Sequence, residues 1–466
     1  MSGSTAQLDA PQPTGLNGAI PRLDGGLPLV GHLRRFQRDP ISMLVDGAME
    51  HGDLFRFNVG PLKFVLFSGL EAHDFYFRAS DDELNAKACY QFTVPIFGRG
   101  VAYDATPQIF AEQLKFLYPA LNRRAMERFA RIMYDESRVF ADSLGHEGEL
   151  DLPHEMNELT VKIASRCLIG QEVRDRVDTG FAGAYHELQN GINTIGFIFP
   201  KLPTPGHRRR DRARNQIGDI FSEIMASRRR NGSEEEDFMQ TLMEAQYSDG
   251  RSVPDDEVIG LLITSLFAGQ HTSAVLATWM GLEIFRSAET LQQVRDEMRA
   301  VYVDSGTMSF ENLQQQSDME NVVRECERLH PPLIILIRKV LEPLVYKGKE
   351  IPAGSLAMVA PGASHRLPHI FADPNRFNPN RFARPNSELD QHHYALIGFG
   401  GGKHACMGKN FAIMQLKAIW SVLLDRFEFE PLSSFPSPNY GSWVTGPTLP
   451  VRIKYRRRTQ PTVFES

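Results

Sequence analysis

Ten residues near the C-terminus, Phe399 to Gly408, constrain this chain most. They read FGGGKHACMG and lead into a long helical pattern. A thiol just ahead of a helix start is favoured as thiolate, because unpaired backbone N–H groups and the helix dipole place positive charge there. Gly400, Gly401 and Gly402 let the backbone turn where a side chain would obstruct, and let a flat group lie against the chain. Phe399, seven residues before the cysteine, is a candidate to shield one side of the sulfur. A thiolate is a soft ligand that suits iron, and as the axial ligand of haem it pushes electron density toward O–O cleavage. Cys406 is therefore a candidate iron ligand. The plainer reading, a buried apolar cysteine in a turn, gives no reason for three adjacent glycines or for the flanking Lys403 and His404.

The chain has 466 residues, 42% hydrophobic and 23% charged, which describes an ordinary globular protein with a large core. A net charge of −6 gives no ground for nucleic acid as a partner. Cys89, Cys167, Cys326 and Cys406 are far apart and form neither a zinc spacing nor a disulfide framework, which fits a reducing compartment. No apolar run reaches about 18 residues, and residues 1–20 lack the basic start and apolar core of a signal peptide. The expectation is a soluble, cytoplasmic protein with a flexible tail over 1–20, a single domain over 21–458 and a C-terminal tail over 459–466.

Helical patterns dominate. They predict helices from Arg34 to His51, Pro107 to Met133, Asp151 to Ile169, Phe181 to Phe199, Arg208 to Asn231, Glu234 to Ala245 and Asp255 to Phe285. Leu54 to Val59 and Lys63 to Phe67 read as a hairpin about Gly60-Pro61, and Leu344 to Tyr346, Leu356 to Ala360 and Val451 to Tyr455 as short strands. The fold class is mainly α with a small β region (α+β), not an alternating βα order. Three basic clusters stand at Arg208–Arg210, Arg228–Arg230 and Arg456–Arg458. The first, preceded by Phe197, Ile198 and Phe199, is a candidate for peripheral membrane contact.

The helix from Asp255 to Phe285 is apolar but has an odd centre, Phe267-Ala268-Gly269-Gln270-His271-Thr272-Ser273. Gly, His, Thr and Ser inside a buried helix cost stability. Ala268 and Thr272 are four apart and share a face, and Thr272 is placed to bond back to the preceding turn. Space plus a hydroxyl is what oxygen on iron requires, and a histidine that titrates near neutrality is suited to proton supply. Farther on, Glu325 and Arg328 are three apart on the helix that Pro331-Pro332 ends, and Arg381 lies in a Pro/Phe-rich stretch. A buried Arg–Glu–Arg group built from them would lock the loop that carries Cys406.

Together these pieces resemble the cytochrome P-450 superfamily of haem-thiolate monooxygenases. FGGGKHACMG matches its cysteine loop, AGQHTS its oxygen-activating helix, ECER its Glu-x-x-Arg pair and NPNRF its Pro-x-Arg-Phe segment, in order, from about Pro21 to Arg458. The resemblance implies that superfamily's fold, with haem b buried between the long central helix and the helix after the cysteine loop. His271 before Thr272, and the segment YQFTVPIFGRGVAYD from Tyr90 to Asp104, are similar to sterol 14α-demethylases.

That likeness implies Cys406 as metal ligand beside Phe399, and Tyr90, Tyr103, Arg338 and His404 as propionate partners. It implies substrate contacts from Phe92, Phe97, Ala268, Leu333, Ile337, Trp443 and Val444. Thr272 would position oxygen and His271 relay protons. It implies three monooxygenations at the 14α-methyl group of a sterol, to alcohol, aldehyde and released formate. Electrons would come ultimately from NAD(P)H through a ferredoxin or flavoprotein reductase, which the basic residues Lys403 and Lys409 are placed to dock. A phenylalanine at Phe92 resembles relatives that favour sterols with a single C4 methyl. Oxidation of another lipid or terpenoid, and a non-catalytic haem-thiolate sensor, stand as alternatives. The oligomeric state is left open.

Overall fold

The computed structural model describes residues 18–192, 202, 204–233, 235–303, 306–385, 387–459 and 463–464. Helices make up most of it. The central helix, Asp255–Phe285, has the bounds its sequence predicts, with Pro254 as cap and three acids in the first turn. It is apolar on every side and long enough to cross a bilayer, but it runs through the protein core. Helix Leu152–Leu168 packs along it, and helix Lys409–Arg426 crosses it. At that crossing the Trp420 indole N–H donates to the Ala277 carbonyl at 3.0 Å. A Cβ on Gly281 would fall 2.4 Å from the Trp420 ring, so glycine is what lets the two helices meet.

Several helices differ from their predicted bounds for local reasons. The run from Arg34 to His51 is two helices, Leu33–Arg38 and Pro40–His51, because Pro40 forces Asp39 out of helical geometry, and Asp39 then caps Ser42. Pro107 to Met133 divides into Pro107–Ala120 and Arg123–Ser143, where the Asn122 side chain accepts from the Ala125 N–H and restarts the helix. Asp237 caps a short helix, Phe238–Glu244; the predicted start at Glu234 lies outside the described residues. Of the run from Phe181 to Phe199, Ala182–Asn190 is helix and residues 193–199 lie outside the described ones, including the aromatic half of the proposed membrane contact.

The main sheet has five strands in the order Leu54–Val59, Leu62–Phe67, Leu356–Val359, Leu336–Val340, Leu84–Asn85. Leu336–Val340 is not among the predicted strands, although the run of Ile and Val bounded by Pro331-Pro332 and Pro343 is a strand signal. It pairs antiparallel with Leu356–Val359, setting Arg338 opposite Ala357. Glu147–Asp151, Arg452–Arg457 and Phe427–Pro431 form a second sheet of three strands.

Candidate active site

The loop from Ile397 to Gly408 is shaped by close approaches. Gly400 and Gly402 have φ of 70° and 62°. A Cβ on Gly402 would lie 2.1 Å from the Phe77 carbonyl oxygen, and one on Gly401 would strike the rings of Tyr394 and Phe77. The Cys406 N–H donates to the Phe399 carbonyl at 2.8 Å, which closes the loop, and the helix Lys409–Arg426 begins three residues beyond the thiol. Cys167 and Cys326 are buried and Cys89 half-buried, whereas the Cys406 side chain is accessible although it sits deep among its neighbours. Burial pushes its thiol pKa up, against the Gly408 N–H and the more distant Lys409 charge; Glu327 adds to the rise. The helix start thus helps the thiolate as the sequence suggests, but desolvation outweighs it in the free thiol.

On the central helix, Ala268 is exposed although Phe267 and Gln270 beside it are buried, so this face of a core helix borders an internal space. Thr272 Oγ1 donates to the Ala268 carbonyl at 2.9 Å. His271 lies edge-on to Phe267, and its Nδ1 has no partner. Burial, with the nearby His186, holds its pKa down to about 4, which corrects the expectation of a histidine titrating near neutrality. At pH 7 it is a neutral ring able to pass a proton, not a stored one. Gln270, which the sequence reading left without a role, is fully buried. Its Nε2 donates to Asn157 Oδ1 (2.7 Å) and Thr160 Oγ1 (3.1 Å), and its Oε1 accepts from Gln189 (2.7 Å). A polar residue in an apolar run was the available signal.

The aromatic residues singled out by sequence converge. Tyr90 stacks on Tyr103 at 4.4 Å, Trp443 meets Tyr90 edge-on at 5.7 Å and Phe92 at 4.9 Å, and Phe97 packs edge-on against Phe267. Phe110 bridges Tyr103 to His404. Burial raises both tyrosine pKa values, with Arg338 close enough to oppose the rise at Tyr103. Ile337 and Val444 are buried and Leu333 half-buried, and the Thr445 N–H donates to the Pro332 carbonyl, joining the segment of Trp443 and Val444 to that of Leu333.

Glu325, Arg328 and Arg381 meet in the interior. Arg328 holds Glu325 through two bonds of 2.7 and 2.8 Å, and Arg381 Nε reaches both carboxylate oxygens at 3.1 Å. Arg328 also donates to the His365 and Arg376 carbonyls, and Arg381 to Glu388, an acid the sequence reading did not include. Within the basic clusters, Arg228 is buried between Glu172 and Asp237, Arg229 pairs with Asp255, and Arg209 with Glu187.

Residues 21–455 match the cytochrome P450 family. This chain belongs to that family. A sterol 14-demethylase of Arabidopsis thaliana is 38% identical over 446 residues, 94% of this chain and 91% of the relative. A sterol 14alpha-demethylase of Mycobacterium tuberculosis is 38% identical over 448 residues, 95% and 99%. The solved structure of retinoic acid bound cyanobacterial CYP120A1 superposes with a TM-score of 0.84, 22% identity and coverage of 94% and 99%, which supports the P450 fold.

The residues fit the haem that the family implies. Arg338 is buried, spends one N–H on the Tyr76 carbonyl at 3.2 Å, and lies over the Tyr76 ring. Such a cation is costly without a counter-anion, which a propionate would supply. His404 Nε2 pairs with Asp81 at 2.6 Å while Nδ1 is buried without a partner. Burial depresses its pKa despite Asp81, and an added anion would act to restore the second ring proton.

Proposed function

We propose that this P450 is a sterol 14α-demethylase, removing the 14α-methyl group of a sterol precursor in three O2-dependent oxidations and releasing the carbon as formate. The observation that carries this reading is the similarity, over nearly the whole chain, to sterol 14-demethylases from a plant and a bacterium. The aromatic wall of Tyr90, Phe92 and Trp443 supports it, because a rigid apolar polycycle gains most of its affinity from buried apolar area, at about 25 cal/mol per Å².

Haem b bound through Cys406 supplies oxygen activation. The rest is done by this chain's own side chains. Tyr90, Tyr103, Arg338 and His404 hold the propionates. Ala268 leaves space on the central helix, Thr272 presents a hydroxyl there, and neutral His271 passes protons through its two ring nitrogens. Leu333, Ile337, Phe97 and Val444 complete an apolar cavity that excludes water. Phe92 fills the volume of a second C4 methyl and favours C4-monomethyl sterols, by an amount within the roughly 1–3 kcal/mol that a methyl-sized difference carries. Electrons from NAD(P)H arrive through a ferredoxin or flavoprotein reductase docked near the exposed Lys403 and Lys409, in the cytoplasm.

The test is turnover of a small sterol panel by the purified protein with a redox partner. The 14-demethylated product is expected, formed faster from obtusifoliol-like than from lanosterol-like substrate. Intact haem-thiolate spectra with no sterol product would overturn the assignment. Faster lanosterol turnover would overturn the role of Phe92.

A further inference from the structure

The helix Ser317–Leu329 carries a second buried acid, Glu327, that neither the lock nor the active site uses. It is 2% exposed and faces the start of the cysteine loop. A Cβ on Gly398 would fall 2.7 Å from Glu327 Oε1, so glycine is what admits the carboxyl against the loop backbone. The N–H groups of Phe399 and Gly398 favour its ionised form, while Oε2 has no hydrogen-bond partner. Phe399 is also the residue whose carbonyl accepts from the Cys406 N–H. A half-partnered carboxyl in such a place is costly, so its presence calls for a consequence.

We propose that Glu327 is a positioning residue that sets the charge behind the Cys406 thiolate and thereby tunes how readily the bound iron takes an electron. The proposal rests on Cys406 being the iron ligand. The two groups are close enough to couple: the Glu327 charge acts to raise the Cys406 thiol pKa and the Lys409 charge to lower it. An ionised Glu327 opposes any further negative charge at the sulfur and its metal, and so disfavours reduction. Protonated, it removes that opposition. Burial pushes its own pKa up to about 7, against Lys409, the two loop N–H groups and Arg324, so both forms are populated near neutral pH. Lys409, the first residue of the following helix, also lies over the Phe399 ring, which places the compensating cation against the same loop.

The test is the reduction midpoint potential of the haem-loaded protein, followed spectroscopically from about pH 6 to pH 8, the range in which a carboxyl so shifted would titrate. In the parent the potential is expected to fall as pH rises through this range. Glu327→Gln is expected to lie at the more positive, low-pH limit and to lose the slope. Glu327→Asp keeps a charge on a shorter arm and is expected to keep the slope with its inflection at lower pH. A slope in Glu327→Gln equal to that of the parent would overturn the proposal. If Glu327→Gln does not assemble, an unshifted inflection in Glu327→Asp overturns it. Failure of the underlying reading is distinguishable, because the parent itself would then lack the thiolate signature of its carbon monoxide complex.

Discussion

Thr272, His271 and Tyr103 carry separable expectations. Thr272→Ala removes a hydroxyl bonded only within its own helix, so folding is expected to persist while sterol product per O2 consumed falls by several-fold, within the range typical of proton-transfer groups. Parallel oxygen-electrode and product measurements check this. Tyr103→Phe keeps the ring stacked on Tyr90 but deletes the hydroxyl near Arg338; weaker haem retention is expected, read by haem loss to an acceptor protein, with the melting temperature of the haem-free protein unchanged. The tight loop ahead of Cys406 was legible in the sequence because three adjacent glycines mark a backbone turn, and Gly400 and Gly402 take positive φ there. Gln270 and Glu327 were not, because each takes its meaning from partners far away in the chain, respectively Asn157 and the Gly398-Phe399 backbone. Glu388 was not either, although Arg381 is only seven residues away, because nothing in an irregular segment fixes which side chains face each other.

Elements were legible where a local signal sets their ends. Pro254 with three acids fixed the start of the central helix, whereas Asp39 and Asn122 each cap a new helix inside what reads as one amphipathic run. The strand Leu336–Val340 carried a signal in its Ile/Val run between prolines, but its neighbours Leu84–Asn85 and Leu356–Val359 could not be read from it, because pairing is set outside the segment, at remote positions. The same remoteness makes the lock strong: Glu325 on one helix holds Arg381 from a segment 56 residues later. Arg381→Met takes one of two cations from the buried Glu325 carboxylate, leaving Arg328 as its only ion partner among the described residues, and is expected to cost about 3–5 kcal/mol in denaturant unfolding. A change under about 1 kcal/mol, the scale of an exposed ion pair, would contradict a buried, interdependent group.

The molecule as a whole buries histidines that stay neutral. Burial holds His73 and His271 each down to about 4, and His365 well below its ordinary value. Below about pH 6.5 the unfolded chain takes up protons that these folded rings refuse, so stability is expected to fall as pH drops from there toward 4. The denaturation midpoint as a function of pH checks this; a flat profile across that window would contradict it. The mainly helical class was readable from periodicity, but the sheet order was not, because strand neighbours are chosen by packing on a core that no window of sequence contains. The central proposal is 14α-demethylation of a sterol by haem held through Cys406. Its most direct measurement uses a sterol carrying a labelled carbon at the 14α-methyl, incubated with the purified protein, a redox partner and O2. The account predicts label in formate, and none from Cys406→Ser. Label retained in the sterol by a protein with an intact haem-thiolate spectrum would contradict it.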